Sequence, residues 1–374
     1  MVMCIISELI DNECIKIGDF KLKNGDISKY YFDMKNLVSY PSLLCKIGDE
    51  IYKLIDKDNC DILCGVPIGG LPLTTYISTK YNIPMIISRN EVKDYGTNKM
   101  IEGNYSKDSK CVIIEDVITS GSSVQKTIDN LKDKVNIRGV VVIVDRQQGF
   151  NCSIPVKSLI TKTEIVAKRL KNIITDKKTR LCFSADIADI NILLEKLNEI
   201  GPYIAICKIH YDIYNDINNS LKEGLIFLSI KHNFLIMEDR KLVDISYITT
   251  KQFDKYKNWV DMITVMPTVK DEVIKSISGV LIVANMSNNN WDYTEQAHNL
   301  AKKNRKNVIG FITQKRIDEE GMLCMTPGIS LENTNIEDQN YRQAGDVDTD
   351  IIIVGRGIYN YDDYAEKAKC YSMI

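Results

Sequence analysis

The chain has 374 residues, of which 44% are hydrophobic and 26% charged, and its formal net charge is −2. This length allows two domains, although one large barrel would also fit. The nearly balanced charge provides no basic field of the kind that attracts nucleic acid, so we expect no nucleic-acid partner.

Eleven cysteines are scattered along the sequence without a CxxC pair, and only three histidines are present. This pattern predicts free thiols in a reducing compartment rather than a structural zinc site. No apolar run reaches membrane-spanning length. The N-terminal segment carries early acids without a basic stretch before them, which predicts an amphipathic helix rather than a signal peptide. We therefore expect a cytoplasmic protein with no membrane partner.

Short apolar runs alternate with helical patterns along the chain, and this order predicts an α/β architecture with parallel sheets. In the first part, the predicted strands are Ile62–Val66, Met85–Ser88, Val112–Ile114 and Gly139–Val144. The regularity is lost between residues 151 and 178, where a polar, lysine-rich end predicts a helix followed by a linker.

Eight strands are predicted after this interruption, most of them followed by a helical pattern. They are Leu181–Ser184, Ala205–Lys208, Phe234–Glu238, Met262–Val265, Val280–Ala284, Val308–Thr313, Leu323–Thr326 and Ile351–Val354. An eightfold strand–helix count in about 195 residues predicts a compact (β/α)8 TIM barrel. We therefore expect a first domain at residues 1–160, a linker at 161–178 and a barrel at 179–374.

The segment Val112–Val124 is the most informative stretch of the first part. A buried strand is expected to end at two acids, Glu115 and Asp116, and a loop of small hydroxylic residues and a helical pattern follow. Backbone N–H groups at a helix N-terminus attract anions, and a glycine allows close backbone approach. The two carboxylates can accept hydrogen bonds from vicinal hydroxyls. This order predicts a sugar-phosphate site, although an ordinary strand–turn–helix with a Ser/Thr cap has a similar pattern.

The same segment resembles the diphosphoribosyl-binding motif of the type I phosphoribosyltransferases, whose domain is a parallel sheet flanked by helices. Most of residues 15–150 also resembles orotate phosphoribosyltransferases in order and spacing. The matching segments are FKLKNG at 20–25, KYYFD at 29–33, GVPIGGLP at 65–72, RNEVKDYG at 89–96 and DRQQG at 145–149.

This resemblance implies roles for individual residues. Lys23 would contact orotate or pyrophosphate, Phe32 would pack against the orotate ring, and Arg146 would lie beside the orotate carboxylate. The implied pyrophosphate loop contains Arg89, Lys93 and Tyr95, with Lys93 reaching across a dimer interface. Glu115 and Asp116 would hold the ribose hydroxyls, and the implied 5′-phosphate residues are Thr119, Ser120, Gly121, Ser122 and Ser123. Mg²⁺ is expected on the pyrophosphate, without direct side-chain ligation, because such a polyanion requires charge neutralisation.

A second constellation occurs in Leu235–Ile245, where an apolar run ends at the carboxyl edge of the third barrel strand. Active sites of TIM barrels lie at this edge. Residues i and i+2 of a strand face the same side, so Asp239 and Lys241 are expected to point together. Lys208 ends the adjacent strand and Asp244 follows in the loop. The sequence therefore predicts an array of four alternating charges in the barrel mouth, the alternative being a surface salt-bridge cluster.

This array resembles that of the orotidine 5′-monophosphate decarboxylases, and the similarity spans roughly residues 179–365. The resemblance implies a reaction without a cofactor, in which Lys241 donates a proton to the carbanion and Asp239 crowds the substrate carboxylate. Asp244 would enter the site of the neighbouring subunit, which implies a homodimer with shared sites. The implied orotidylate-binding residues are Ser184, Asp186, Lys208, Ile245, Met286, Ser287, Pro327, Gln339, Tyr341, Gly355 and Arg356.

The chain departs from both family patterns at a few positions. Asn90 replaces a lysine in the pyrophosphate loop, Tyr95 stands where many members have histidine, and Ile248 replaces a threonine that contacts the substrate. The segment after Ser287 is shorter than the loop that usually covers the pyrimidine. We expect the loss of a cation at Asn90 to slow the transfer, and we interpret the changes in the barrel as weakened closure rather than lost chemistry.

Together, the two resemblances predict a bifunctional enzyme. Orotate and phosphoribosyl diphosphate would give orotidine 5′-monophosphate and pyrophosphate, and decarboxylation would then give UMP. One alternative is an active transferase joined to a weakened or inactive, UMP-binding barrel. Another is a phosphoribosyl-diphosphate-binding regulator, a class that needs a nucleic-acid surface.

Overall fold

The computed structural model describes residues 2–22, 25–89, 100–150, 152–214, 219–288, 291–331 and 341–374, without the side chain of residue 219. Four predicted site residues, Lys23, Lys93, Tyr95 and Gln339, lie outside the described residues. The chain divides into two compact units. The first contains residues 1–16 and 32–162, and the second contains residues 17–31 and 163–374.

The first part of the chain forms a mixed sheet and a separate two-stranded sheet. Its strands are β1 (Ile15–Lys21), β2 (Ile27–Phe32), β3 (Ile62–Gly65), β4 (Met85–Ser88), β5 (Ile101–Glu102), β6 (Lys110–Ile118), β7 (Asn136–Asp145) and β8 (Val156–Thr161). Strands β1 and β2 pair with each other, and the main sheet has the order β5-β4-β3-β6-β7-β8. Only β5 runs antiparallel to its neighbour among the described strands of the main sheet. The helices are α1 (Val2–Asp11), α2 (Pro41–Leu54), α3 (Gly70–Tyr81) and α4 (Ser122–Leu131).

Strand β6 is longer than predicted, and this changes the position of the acidic pair. The strand continues to Ile118 because β7 is equally long and keeps pairing with it, Ile118 lying opposite Asp145. The neighbour on the other side, β3, ends opposite Ile114. Glu115 and Asp116 are therefore inside a strand, beyond the end of β3, rather than at the strand end that the sequence predicted.

The second part of the chain forms a closed barrel of eight parallel strands, which confirms the predicted TIM barrel. The barrel strands are β9 (Leu181–Ser184), β10 (Ile206–Ile209), β11 (Leu235–Leu242), β12 (Met262–Val265), β13 (Val280–Val283), β14 (Val308–Ile312), β15 (Leu323–Pro327) and β18 (Ile351–Val354), and a small pair, β16 (Ile329–Ser330) and β17 (Arg342–Gln343), precedes the last of them. The helices are α5 (Lys162–Lys177), α6 (Ile190–Ile200), α7 (Asn219–Lys231), α8 (Ser246–Phe253), α9 (Asp271–Lys275), α10 (Thr294–Lys303), α11 (Arg356–Tyr359) and α12 (Tyr364–Ser372). The buried faces of these elements form one continuous apolar core.

Helix α5 occupies most of the segment predicted as a linker. Its last residue, Lys177, donates hydrogen bonds to the carbonyl oxygens of Gly201, Ile204 and His232 at 2.6–2.8 Å. A cation at a helix C-terminus that also satisfies loop carbonyls fixes the helix end to the loops that precede the next strands. The segment is therefore ordered against the barrel unit rather than extended.

Two further expectations concern the whole described chain. All eleven cysteines lie within it and are free thiols. Within the same residues, no helix combines the length and the apolar character needed to cross a bilayer.

The barrel unit includes a buried charge cluster that holds residues 17–31. Asp261, directly before β12, accepts hydrogen bonds from the Lys29 ammonium at 2.5 Å and the Tyr30 hydroxyl at 2.6 Å. Arg169 of α5 donates to the same hydroxyl at 2.6 Å. Burial alone would raise the pKa of Asp261, but the charges of Lys29 and Arg169 outweigh it and lower the pKa. Two cations thus depend on one fully buried carboxylate.

We expect Asp261→Asn to destabilise the barrel unit by about 3–5 kcal/mol, because it leaves two buried cations without their counter-charge. Both tryptophans of the chain, Trp259 and Trp291, lie in this unit, so urea unfolding followed by tryptophan fluorescence reports on it. The control is Asp254→Asn, which breaks an ion pair with Lys257 at the surface and should have a much smaller effect. Equal losses in the two variants would contradict the importance of the buried cluster.

Candidate active sites

The acidic pair of β6 lies against a glycine-rich loop. A Cβ atom added at Gly69 would collide with the carboxylate of Asp116, and one added at Gly70 would collide with the carbonyl oxygen of Ile114. Both glycines therefore permit the close approach between this loop and β6. The loop and the acidic pair thus lie together at the carboxyl ends of the parallel strands, where ligands bind in open α/β sheets.

The two acids of this pair have different environments. Burial, followed by the hydrogen bond and negative charge of Asp116, raises the pKa of Glu115 to about 9. Asp116 is half-buried, and its carboxylate accepts a hydrogen bond from the backbone N–H of Val117 at 2.7 Å. At neutral pH, Glu115 is therefore mostly protonated and can donate a hydrogen bond as well as accept one.

Of the predicted phosphate residues, Thr119, Ser120 and Gly121 form the turn between β6 and α4, and Ser122 and Ser123 begin the helix. Gly121 has a φ of +74°, and the ring of Phe150 lies where a Cβ atom would be. Any other residue would meet both backbone strain and a steric clash. Helix α4 begins at Ser122, and no side chain of the described residues caps it. Its first N–H groups therefore remain available to bind an anion.

Two predicted cations line this first site. The Arg146 guanidinium stacks on the ring of Phe32, 5.2 Å from its centroid, and burial lowers the pKa of Arg146 to about 10. Its Nε is buried and makes no hydrogen bond within the described residues. Arg89 instead pairs with Glu102 at 2.7 Å. Of these two cations, Arg146 is therefore the one with an unused hydrogen-bond donor.

The second site is a cavity of about 470 Å³ in the mouth of the barrel, a size typical of small-molecule sites. Most predicted orotidylate residues meet there. The cavity is lined by Ser184, Asp186, Lys208, Asp239, Lys241, Met286, Ser287, Pro327, Tyr341, Gly355 and Arg356. The sequence did not single out four other polar residues of the lining, His210, Asn285, Asn288 and Tyr359.

Asp239 is the centre of the charge array. Its Oδ1 accepts hydrogen bonds from Lys241 Nζ at 2.8 Å and Thr264 Oγ1 at 2.9 Å. Its Oδ2 is 3.1 Å from both Lys208 Nζ and His210 Nε2. Burial alone would raise the pKa of Asp239, but these donors, Lys208 first among them, hold it well below its usual range. The carboxylate is therefore ionised, and the predicted contact between Asp239 and Lys241 is confirmed.

His210 joins Asp239 to a second carboxylate. Its Nδ1 lies 2.7 Å from Asp186 Oδ1, so each ring nitrogen faces a carboxylate oxygen and the imidazolium form satisfies both. Burial would lower the pKa of His210, but the hydrogen bonds to Asp186 and Asp239 raise it. The same contact, with the charge of Lys208, lowers the pKa of Asp186 to about 2 against the effect of burial.

Two predicted residues are not part of this cavity. Asp244 and Ile245 are exposed where α8 begins, and Ile245 keeps 67% of its accessible surface. The Asp244 carboxylate accepts only a local hydrogen bond, from the backbone N–H of Ile245 at 2.7 Å, among the contacts seen for the described residues. A single chain therefore does not bring the fourth charge of the predicted array to the other three.

Two family models match the chain. The phosphoribosyl transferase domain matches residues 33–165, and the orotidine 5′-phosphate decarboxylase / HUMPS family matches residues 179–371. The first range contains the described residues of the first site except Phe32, and the second contains the barrel site.

Several curated relatives match the chain over most of its length. The uridine 5′-monophosphate synthase of Bos taurus is 31% identical over 456 residues, covering 98% of this chain and 95% of the relative. That of Naegleria gruberi is 29% identical and covers 98% and 94%. The orotidine 5′-phosphate decarboxylase of Pichia kudriavzevii is 36% identical and covers 56% of this chain and 91% of its own. The first alignment is longer than the present chain, so that relative contains segments that this chain lacks.

The environment of His210 predicts a pH-dependent contribution to stability. Because its pKa in the fold is raised above the ordinary 6.5, the contribution is present below about pH 6.5 and is lost as the pH rises through the raised value. The difference in unfolding free energy between wild type and His210→Gln should therefore shrink between about pH 6 and pH 9, as measured by tryptophan fluorescence in urea. His232→Gln is the control. Burial lowers the pKa of His232, so the difference in unfolding free energy between wild type and this variant should grow with pH. A difference that stays constant with pH for His210→Gln would contradict the imidazolium form of His210.

Proposed function

Because the chain belongs to the uridine 5′-monophosphate synthase family, we propose specific roles for the residues of its two sites. The protein is a bifunctional enzyme of pyrimidine biosynthesis, which forms orotidine 5′-monophosphate from orotate and then decarboxylates it to UMP. The observation that carries the assignment of roles is the ionised Asp239 between Lys208 and Lys241 in the barrel mouth.

In the first site, N1 of orotate attacks the anomeric carbon of phosphoribosyl diphosphate, the bond from that carbon to pyrophosphate breaks, and the N1 proton is released to pyrophosphate or solvent. Arg146 binds the orotate carboxylate, and its unpaired buried Nε supports this role. Phe32 packs on the pyrimidine ring. Asp116 accepts hydrogen bonds from the ribose hydroxyls, while the protonated Glu115 can both accept and donate. The N–H groups of residues 119–123 bind the 5′-phosphate.

The remaining predicted groups of this site act on pyrophosphate. Arg89 would exchange its bond to Glu102 for a pyrophosphate oxygen, and Lys93 and Tyr95, with Lys23, would contribute from outside the described residues. Oxygen-rich surroundings suit Mg²⁺, and the carboxylate of Asp116 and the protonated carboxyl of Glu115 provide them beside the phosphate turn. Bound Mg²⁺ would neutralise charge on the leaving pyrophosphate, held through the pyrophosphate oxygens rather than by direct side-chain ligation.

In the barrel, the C6–carboxylate bond of orotidylate breaks, carbon dioxide leaves, and the electron pair remains on C6. The Lys241 ammonium transfers a proton to this carbon and regains one from solvent. Asp239 faces the departing carboxylate with a fixed negative charge, whereas Lys208 and Lys241 stabilise the carbanion. These groups are already ordered by the bonds to Asp239, so the reaction needs little reorganisation and no cofactor.

The other lining residues hold the nucleotide. Asp186 and Lys208 bind the ribose, and Ser184 and Ser287 contact the pyrimidine edge. Pro327, Met286 and Gly355 shape the walls. Arg356, whose guanidinium lies 5.8 Å from the centre of the Tyr341 ring, binds the phosphate together with Gln339. Remote phosphate binding can supply energy for the reaction at the other end of the substrate.

A homodimer would account for the exposed position of Asp244. Val243, Ile245 and Tyr247 around it each keep more than 60% of their accessible surface, and apolar surface of this kind is often covered by a partner. In a twofold dimer, the same segment of each subunit meets the other. Asp244 and Ile245 would then complete the site of the second subunit.

The alternative to this proposal is a barrel that binds UMP without catalysing decarboxylation. Ile248 and the shortened loop after Ser287 are the features that favour it. Production of UMP from purified orotidylate, with Lys241→Ala as the control, decides between the two. Equal rates in both proteins would support the alternative.

The test of the complete function is an assay with orotate, phosphoribosyl diphosphate and Mg²⁺, followed to UMP. Wild type should form UMP, and Arg146→Gln should raise the KM for orotate by about 10–100-fold, because a charged hydrogen bond is lost. Arg138→Gln removes an exposed arginine of the same unit that contacts Asn59 and serves as the control. Decarboxylation of added orotidylate should be unchanged in both variants. An unaltered KM in Arg146→Gln would exclude the proposed contact with orotate.

Mixing two inactive variants tests the shared barrel site. Asp244→Asn and Lys241→Ala should each lose decarboxylation. Random exchange of subunits between them should restore up to about one quarter of the wild-type sites, because half of the dimers then contain one intact site. Transferase activity provides the internal measure of protein concentration. Absence of recovery after demonstrated subunit exchange would argue against a contribution of Asp244 to the partner's site.

A further inference from the structure

Thr264 lies beneath the reactive charges of the barrel. It belongs to β12 and is fully buried. Its Oγ1 accepts a hydrogen bond from the backbone N–H of Lys241 at 2.8 Å and donates one to Asp239 Oδ1 at 2.9 Å. One hydroxyl on a neighbouring strand therefore contacts both central residues of the array.

The direction of these two bonds is fixed by the chemistry of the partners. A backbone N–H can only donate, so the threonine oxygen accepts from Lys241. An ionised carboxylate can only accept, so the single hydroxyl hydrogen points at Asp239. The hydroxyl consequently fixes the orientation of the Asp239 carboxylate relative to the backbone of Lys241.

The backbone of Lys241 needs an external support of this kind. Its φ is +51°, a conformation that residues with a Cβ rarely adopt. The pairing of β11 with β12 is also irregular between Glu238 and Leu242. The N–H of Lys241 therefore bonds to the side chain of Thr264, at a point where the regular ladder is interrupted.

We propose that Thr264 is a positioning residue for decarboxylation, which holds the Lys241 backbone and the Asp239 carboxylate in register with each other. This inference rests on the roles proposed above for Asp239 and Lys241. Without the hydroxyl, Asp239 keeps three of its four donors, and the N–H of Lys241 loses its acceptor. The charges remain in the cavity, but the position of Lys241 Nζ relative to the reacting carbon is no longer fixed.

The matched pair of variants is Thr264→Val, which has nearly the same shape without the hydroxyl, and Thr264→Ser, which keeps the hydroxyl. Thr264→Val should lower kcat for orotidylate decarboxylation by about 10–100-fold, as expected for a small displacement of reacting groups, while KM changes by less than about threefold. Its acid limb in the kcat–pH profile should move to higher pH, because Asp239 has lost a donor. Thr264→Ser should retain at least about one third of the wild-type kcat.

A structural control separates positioning from a general loss of buried hydrogen bonds. Thr349 is buried before β18, at the opposite end of the barrel, and its hydroxyl contacts the carbonyl oxygens of Cys324 and Ile351 at 2.8 and 3.2 Å. Thr349→Val should leave kcat for decarboxylation near the wild-type value. The transferase rate, measured on the same samples, normalises all variants to protein concentration, and tryptophan fluorescence, which reports on the barrel unit, verifies that the barrel is folded in each of them.

Three results would overturn the inference. They are a kcat within about threefold of wild type in Thr264→Val, an equal loss in Thr264→Ser, and an equal loss in Thr349→Val. The Lys241→Ala variant distinguishes this failure from that of the proposed roles. If Lys241→Ala is inactive while Thr264→Val is normal, only the inference fails. If Lys241→Ala is fully active, the roles of the array fail and the inference fails with them.

Discussion

The barrel site depends on keeping one buried carboxylate ionised. Removal from water favours the neutral form of Asp239, and the charges and hydrogen bonds of Lys208, His210 and Lys241 reverse that preference. Of the four donors to this carboxylate, Lys208 and Thr264 come from the two strands that flank β11, His210 directly follows β10, and Lys241 belongs to β11 itself. The register of β10, β11 and β12 is therefore as important for the site as the identities of the charged residues.

The two sites use buried acids in opposite ways. In the transferase site, Glu115 has no cation within hydrogen-bonding distance among its described contacts, and burial beside Asp116 raises its pKa to about 9. In the barrel, cations surround Asp239 and lower its pKa. A neutral carboxyl beside a carboxylate suits polyhydroxyl recognition, where donors and acceptors are both needed. A fixed negative charge suits expulsion of a carboxylate, so the environment rather than the residue type sets the chemistry of each site.

Much of this arrangement could be predicted from sequence, because continuous apolar runs mark strands that are buried on both faces. The strands Leu181–Ser184, Met262–Val265 and Ile351–Val354 are predicted with the observed bounds. The alternation of side chains predicts that Asp239 and Lys241 meet, but not the left-handed backbone at Lys241, which depends on Thr264 from another strand. The same alternation relates Lys208 to His210 and could have identified the histidine. The length of β6 escaped prediction because it depends on pairing with β7. The exposure of Asp244, shortly before α8, does not follow from the alternation of side chains either.

The placement of residues 17–31 in the barrel unit has a consequence for protein synthesis. Lys29 leaves the ribosome well before its counter-charge on Asp261, which follows 232 residues later. At roughly 5–20 residues per second, this interval is on the order of 10–50 s. During that time the transferase sheet can be completed while this segment, which lies between two parts of that unit in the sequence, still lacks the surface on which it packs. Strands β1 and β2 are thus translated before the main sheet of the first unit, but can reach their final surroundings only after it.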